Sequence, residues 1–268
     1  MRLGAPIMDG IQSPEEWVHL HQRYGYRAAC SWIHQIKELN TKKDFLEAAE
    51  KHDIIFAEIW AWCNPMSLNS RERKKAIDYC KEQLFIADES NTVCCVNITG
   101  DSGEQWSGDS NKNLRKEMFD LVVETTRDII DSVKPKRTYY TIGMTPWMYP
   151  YDEDSYLDLI KAVDRQRFAV HLDIANTITS PMKYHNTTEV IKSCFAKLGK
   201  YIKCIHIKDI IIPQNMIIEK VVPGKGIFNH KYLIEAVRKF DEDIPLMLAN
   251  LSTKEEYMEA GEYIKSLF

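Results

Sequence analysis

Two hydrophobic patterns alternate along the chain from end to end. Short apolar runs, many of them rich in β-branched and aromatic residues, fall at residues 2–6, 26–31, 54–60, 92–99, 138–142, 168–174, 202–207 and 245–248. Runs of this kind predict strands covered on both faces, as parallel strands are. The stretches between them carry a helical period. Ile77, Cys80, Leu84 and Ala87 fall on one face of a predicted helix, and Phe119, Val122 and Ile129 on one face of the longest. Helix starts are also marked. In Ser13-Pro14-Glu15-Glu16 a hydroxyl stands ready to accept an unpaired N–H, with proline at the first helical position. Asn186-Thr-Thr-Glu189 and Thr253-Lys-Glu-Glu256 repeat the signal.

Strand–helix alternation implies an α/β fold with a parallel sheet and crossover helices. Eight such units, with no glycine-rich phosphate fingerprint after the first strand, predict a closed (β/α)8 TIM barrel and not a doubly wound open sheet. The 268 residues match the roughly 250 such a barrel takes. No linker or repeat divides the chain, so residues 1–268 are expected to form one domain.

Composition narrows the partners. A content of 44% hydrophobic residues supplies a core, and a formal charge of −4 points away from nucleic acid. No run of 18 apolar residues suits a membrane, and no signal-like segment opens the chain. The seven cysteines contain no Cys-x-x-Cys pair. A reducing cytoplasm and a small-molecule partner are the expectation.

In this fold the chemistry sits where strands end. Glu58 and Trp60 alternate onto one face at the end of the third strand, followed by Trp62. A carboxylate beside aromatic rings suits a sugar, whose hydroxyls need acceptors and whose C–H faces pack on rings. The fourth strand ends near Asn97 and leads into a polar loop, residues 99–106, a candidate lid. His171 shares a face with Asp173, and His206 with Lys208, which Asp209 follows. Asp173 and His206 together can bind a divalent ion, and they equally suit a plain His–Asp hydrogen bond. Val222-Pro-Gly-Lys225-Gly226 reads as a ligand loop or as an ordinary tight turn.

Several motifs now combine: Arg2-Leu-Gly-Ala-Pro6, Pro14-Glu-Glu-Trp17, Gly25-Tyr-Arg-Ala-Ala29, Ala57-Glu58, Asn64-Pro65, Pro146-Trp147-Met148, His171-Leu-Asp173, His206 with Lys208-Asp209, and Pro245-Leu-Met-Leu248. In order and spacing the chain resembles the sugar phosphate isomerase/epimerase family with the xylose-isomerase-like barrel. The resemblance implies a divalent metal (Mn, Mg or Zn) held by Glu, Asp, His and Glu at the ends of strands five to eight. Those glutamates move a proton on a sugar through an enediolate. A C–H beside a carbonyl needs both a base and stabilisation of the developing oxyanion.

Carried over by position, the Asp is Asp173 and the His is His206. The two Glu positions hold Gly143 and Ala249, which neither ligate nor take protons. The substrate side would comprise Glu58, Trp62, Asn97, Trp147, His171, Lys208 and Asp209. Glu58 is the best substitute base, ahead of Asp101 and Asp209. Two readings follow. One is a sugar isomerase or epimerase with altered chemistry and a weakened metal site. The other is a non-catalytic carbohydrate-binding or subunit homologue. A related three-zinc deoxyribonuclease would need more strand-end histidines than His171 and His206. Association into a homo-oligomer is expected by family analogy alone.

Overall fold

The computed structural model describes residues 1–7, 10–11, 13–32, 35–36, 39–102, 110–213 and 217–268. Among these, the apolar runs become parallel strands: β1 Arg2–Gly4, β2 Ala28–Ser31, β3 Ile55–Trp60, β4 Cys94–Asn97, β5 Tyr139–Gly143, β6 Phe168–Leu172, β7 Ile202–Ile207 and, after a hairpin, β10 Pro245–Leu248. The hairpin pairs β8 Asp209–Ile211 with β9 Glu219–Val221, antiparallel, and lies outside the eight expected strands. Strand order closes as β1-β10-β7-β6-β5-β4-β3-β2, a closed barrel of eight parallel strands.

Several strands are shorter than their apolar runs because the flanking residues bond elsewhere. Thr92 donates its N–H to the end of the preceding helix at Ala87, and the Thr99 hydroxyl donates to the Tyr149 carbonyl at 2.9 Å. Ile174, apolar enough to extend β6, opens a 3₁₀ turn, Ile174–Thr177.

The helices are α1 Pro14–Tyr24, α2 Leu39–Lys51, α3 Ser70–Glu89, α4 Lys116–Val133, α5 Glu153–Val163, α6 Pro181–His185, α7 Thr187–Leu198, α8 His230–Phe240 and α9 Lys254–Lys265. Ser13 caps α1 by accepting from Glu16 N, with Pro14 at the first position. Thr253 and Glu256 complete a reciprocal capping box on α9. Each cap stabilises its helix by about 1 kcal/mol, because it satisfies an N–H the helix leaves open. No helix among the described residues is long and apolar enough to cross a membrane.

Contact density divides the chain into two compact units, one of residues 1–57, 173–195 and 204–268, the other of 58–172 and 196–203. The division cuts through β3. The first unit packs Trp17, Val18, Phe45 and Phe56 into an aromatic cluster, with Trp17 stacked on Phe56 at 5.4 Å. In the second, the buried Tyr156 hydroxyl lies 2.6 Å from the Ile142 carbonyl and accepts the His171 N–H at 3.3 Å. This one side chain of α5 ties β5 to β6 and fixes the backbone under His171.

Candidate functional site

Glu58 stands near the end of β3, where alternation turns it inward and leaves it 1% exposed. A buried carboxylate needs partners. Its Oε2 lies 2.7 Å from His171 Nε2, and its Oε1 accepts the Trp60 indole N–H at 2.9 Å. Trp60, two residues on, therefore acts as a donor to Glu58 as well as a ring. Trp62 is 39% exposed and stacks on Trp60 at 6.2 Å, and Trp147 is 58% exposed. The three indoles offer surface that a sugar face can cover.

A second cluster forms around Asp173, directly after β6. The Lys208 ammonium contacts its Oδ2 closely, Asn176 Nδ2 donates to the same oxygen at 3.1 Å, and His206 Nδ1 lies 3.5 Å away. Oδ1 has no hydrogen-bond partner among the described residues. Burial by itself would raise the Asp173 carboxyl. Lys208 and His206 outweigh it and hold the group well below the usual carboxylate range. His230, at the start of α8, fixes Lys208 from behind, its Nε2 3.1 Å from the Lys208 carbonyl. Lys220 on β9 adds a second positive charge near Asp173. Partial burial and Lys208 lower its pKa, against a raising effect of Asp173. It makes no ion pair among the described residues.

Other expected site residues have structural duties. Asp209 accepts the backbone N–H groups of Ile210, Gly224, Gly226 and Phe228 at 2.9–3.0 Å, so it anchors the loop that follows the hairpin. Gly224 adopts φ +95° there, and a Cβ on Gly226 would collide with Asp209. The two glycines thus serve the turn, their N–H groups are used by Asp209, and Lys225 pairs with Glu259 at 2.7 Å. Asn97 is fully buried, and its amide bonds both to Cys63 N and to Cys63 O. Asp101 is buried beside Ser102, whose hydroxyl lies 3.4 Å from its Oδ1. Of the expected lid, residues 103–106 lie outside the described residues.

The two positions where the resemblance expects glutamate differ. A Cβ on Gly143 would meet Ile98 Cγ2 at 3.6 Å and Asn97 O at 3.8 Å, ordinary contacts, so no close approach there demands glycine. Ala249 is half-buried just past β10, its N–H donating to Ile207 O at 3.3 Å.

Glu58 and His171 bring a carboxylate oxygen and an imidazole nitrogen to 2.7 Å of each other. Both are ligand types that a first-row divalent ion takes. Asp173 carries the Lys208 ammonium, which an incoming cation would meet.

A family model described as "Xylose isomerase-like TIM barrel" matches residues 16–267. The chain belongs to this family. No curated protein matches it. Solved xylose isomerase-like barrels share its fold at low identity. The probable 3-DHS dehydratase AsbF of Bacillus anthracis, involved in petrobactin synthesis, is 17% identical with a TM-score of 0.77, covering 100% of this chain and 98% of that one. The D-psicose 3-epimerase of Clostridium cellulolyticum H10, solved with D-tagatose, is 13% identical at TM-score 0.72, covering 100% and 99%. A xylose isomerase-like TIM barrel protein of Mycobacterium smegmatis, solved with magnesium, is 13% identical at 0.70, covering 99% and 96%. At these identities the likeness shows the fold. The sequence did not reveal the Lys208 lock on Asp173, although alternation had put Lys208 on the face of His206.

Proposed function

We propose that this xylose isomerase-like barrel binds a small sugar-like compound and moves a proton on its carbon skeleton, as isomerases and epimerases do, with Glu58 as the proton carrier. The supporting observation is the state of the strand-end carboxylates. Asp173 is held by an ammonium and Asp209 by four backbone N–H groups, so neither is free to take a proton. Glu58 has no such anchor: its Oε2 lies 2.7 Å from His171 Nε2, a partner that can itself give or accept a proton.

The roles follow from the chemistry of each group. Trp60 and His171 orient the Glu58 carboxylate, and Trp62 with Trp147 offers ring faces to the substrate. Lys208 and Lys220 outweigh Asp173 by one charge, which favours a substrate bearing phosphate or carboxylate. A divalent ion held by Glu58 and His171 would supply Lewis acidity for the oxyanion that forms beside the reacting carbon. In this reading residues 1–268 act as one domain in a reducing compartment, as a homo-oligomer.

The test is solvent exchange. Free and phosphorylated pentoses and hexoses and sugar acids are incubated with the protein in D2O with Mn, Mg or Zn and followed by proton NMR. A substrate loses one C–H signal, and Glu58→Gln stops the loss. A sugar that raises the melting temperature but never exchanges would instead establish the non-catalytic carbohydrate-binding reading, which the residues at Gly143 and Ala249 favour.

A further inference from the structure

Seven cysteines are present and none is in a disulfide. Five of them do not concern the point. Cys63, just past β3, and Cys80, in the middle of α3, place their sulfurs 3.3 Å apart. Apolar packing does not require the hydrogen bonds that converge on this pair. The Asn97 amide lies 3.5 Å from each sulfur, the Tyr140 hydroxyl donates to Cys80 Sγ at 3.6 Å, and Cys63 Sγ lies 3.4 Å from the Ala76 carbonyl. Donors aimed at Cys80 favour its thiolate, the form that attacks sulfur. Cys80 is fully buried, whereas Cys63 is half-buried and lines an open cleft of about 850 Å³ with Asn64, Glu72, Lys75, Tyr79 and Ser102. An oxidant can thus reach one sulfur while the other waits behind it.

We propose that Cys63 and Cys80 form a reversible disulfide that staples the segment after β3 to α3. With hydrogen peroxide as oxidant, Cys63 takes one oxygen, giving the sulfenic acid and releasing one water. Cys80 then attacks Cys63 Sγ, forming the S–S bond and expelling the oxygen as a second water. Two thiols lose two electrons and two protons, and the peroxide takes both. The sulfurs, 3.3 Å apart, must close to about 2.05 Å. The staple closes the chain from Cys63 to Cys80, directly after Trp62, so it acts next to the segment that carries the indole pair without using any residue assigned to proton transfer.

The experiment uses the full chain and peptide mapping after hydrogen peroxide, with alkylation under denaturing conditions. The expected result is one linked peptide pair, Cys63 with Cys80, while Cys94 and Cys95 remain alkylated. Dithiothreitol should reverse it. Closing the ring should raise the melting temperature by roughly 5 °C. Cys63→Ser, at a half-buried position, should fold normally and abolish both the link and the shift. A Cys63 that proceeds to sulfinic acid with Cys80 still alkylatable would overturn the proposal. So would a link to any other cysteine, or the absence of any link in protein whose thiols do react. Each readout is independent of whether any sugar is turned over.

Discussion

Glu58 and Asp173 are both inward-facing carboxylates at strand ends, both nearly sealed from water, and they are handled in opposite ways. Glu58 accepts an indole N–H and lies against an imidazole nitrogen. Asp173 has an ammonium, so its charge is cancelled where it stands. Burial alone therefore does not mark a reactive carboxylate. The partner decides: a fixed cation makes the acid a structural anchor, and a histidine leaves it able to exchange a proton.

The largest effect should come from Glu58→Gln, which keeps the shape and removes the proton site. Carbon–proton exchange on a turned-over sugar should fall about a thousandfold, while thermal stability changes little. Equal exchange rates in variant and wild type would move the proton carrier elsewhere. Next comes Lys208→Met, which leaves Asp173 buried without its cation. Stability in urea should fall by about 4 kcal/mol, and Asp173→Asn in the same chain should recover most of it. Additive losses in the double variant would mean the two side chains are not a pair.

A third measurement separates these clusters from background titration. Burial pushes His21 down to about 4, against a smaller raising effect of the Trp17 carbonyl 2.8 Å away. The unfolded chain takes up this proton below its ordinary pKa of about 6.5 and the folded chain only near 4, so stability should be lost as pH falls between the two, by about 3 kcal/mol in all. His21→Gln should flatten urea midpoints across that window. If the slope persists, another buried group carries it. The smallest effect belongs to restoration. Gly143→Glu with Ala249→Glu should raise Mn affinity, read by titration calorimetry, by at least the roughly tenfold that even an outer-layer partner is worth. Unchanged affinity in a folded variant would show that these positions do not face an ion.

The barrel was legible because its pattern is redundant. Eight apolar runs recur between helical segments, so a weak one such as Pro245-Leu-Met-Leu248, with no β-branched or aromatic residue, is read from its place in the series, and Ser13 and Thr253 announce their helices by local chemistry. The hairpin β8–β9 was not legible. Its strands are three residues each, and what holds them is Asp209 gathering N–H groups from residues up to nineteen positions away. The site was half legible. Period-two alternation put Glu58, His171, His206 and Lys208 inward. Their pairing depends on which strand ends meet, which no local pattern encodes. Asn97 was expected on the substrate side from its place at a strand end, and its amide bonds to Cys63 could not be read from the sequence. Cys63 and Cys80 are seventeen residues apart, one in a loop and one in a helix, and nothing in their spacing suggests contact.

The division of labour between the two carboxylates is tested most directly by locating a bound ion. Crystals soaked in Mn or Co, measured at the metal's absorption edge, should show one anomalous peak beside Glu58 and His171, with Lys208 still on Asp173. A peak ligated by Asp173 with Lys208 swung away, or no peak at all at millimolar metal, would contradict the account.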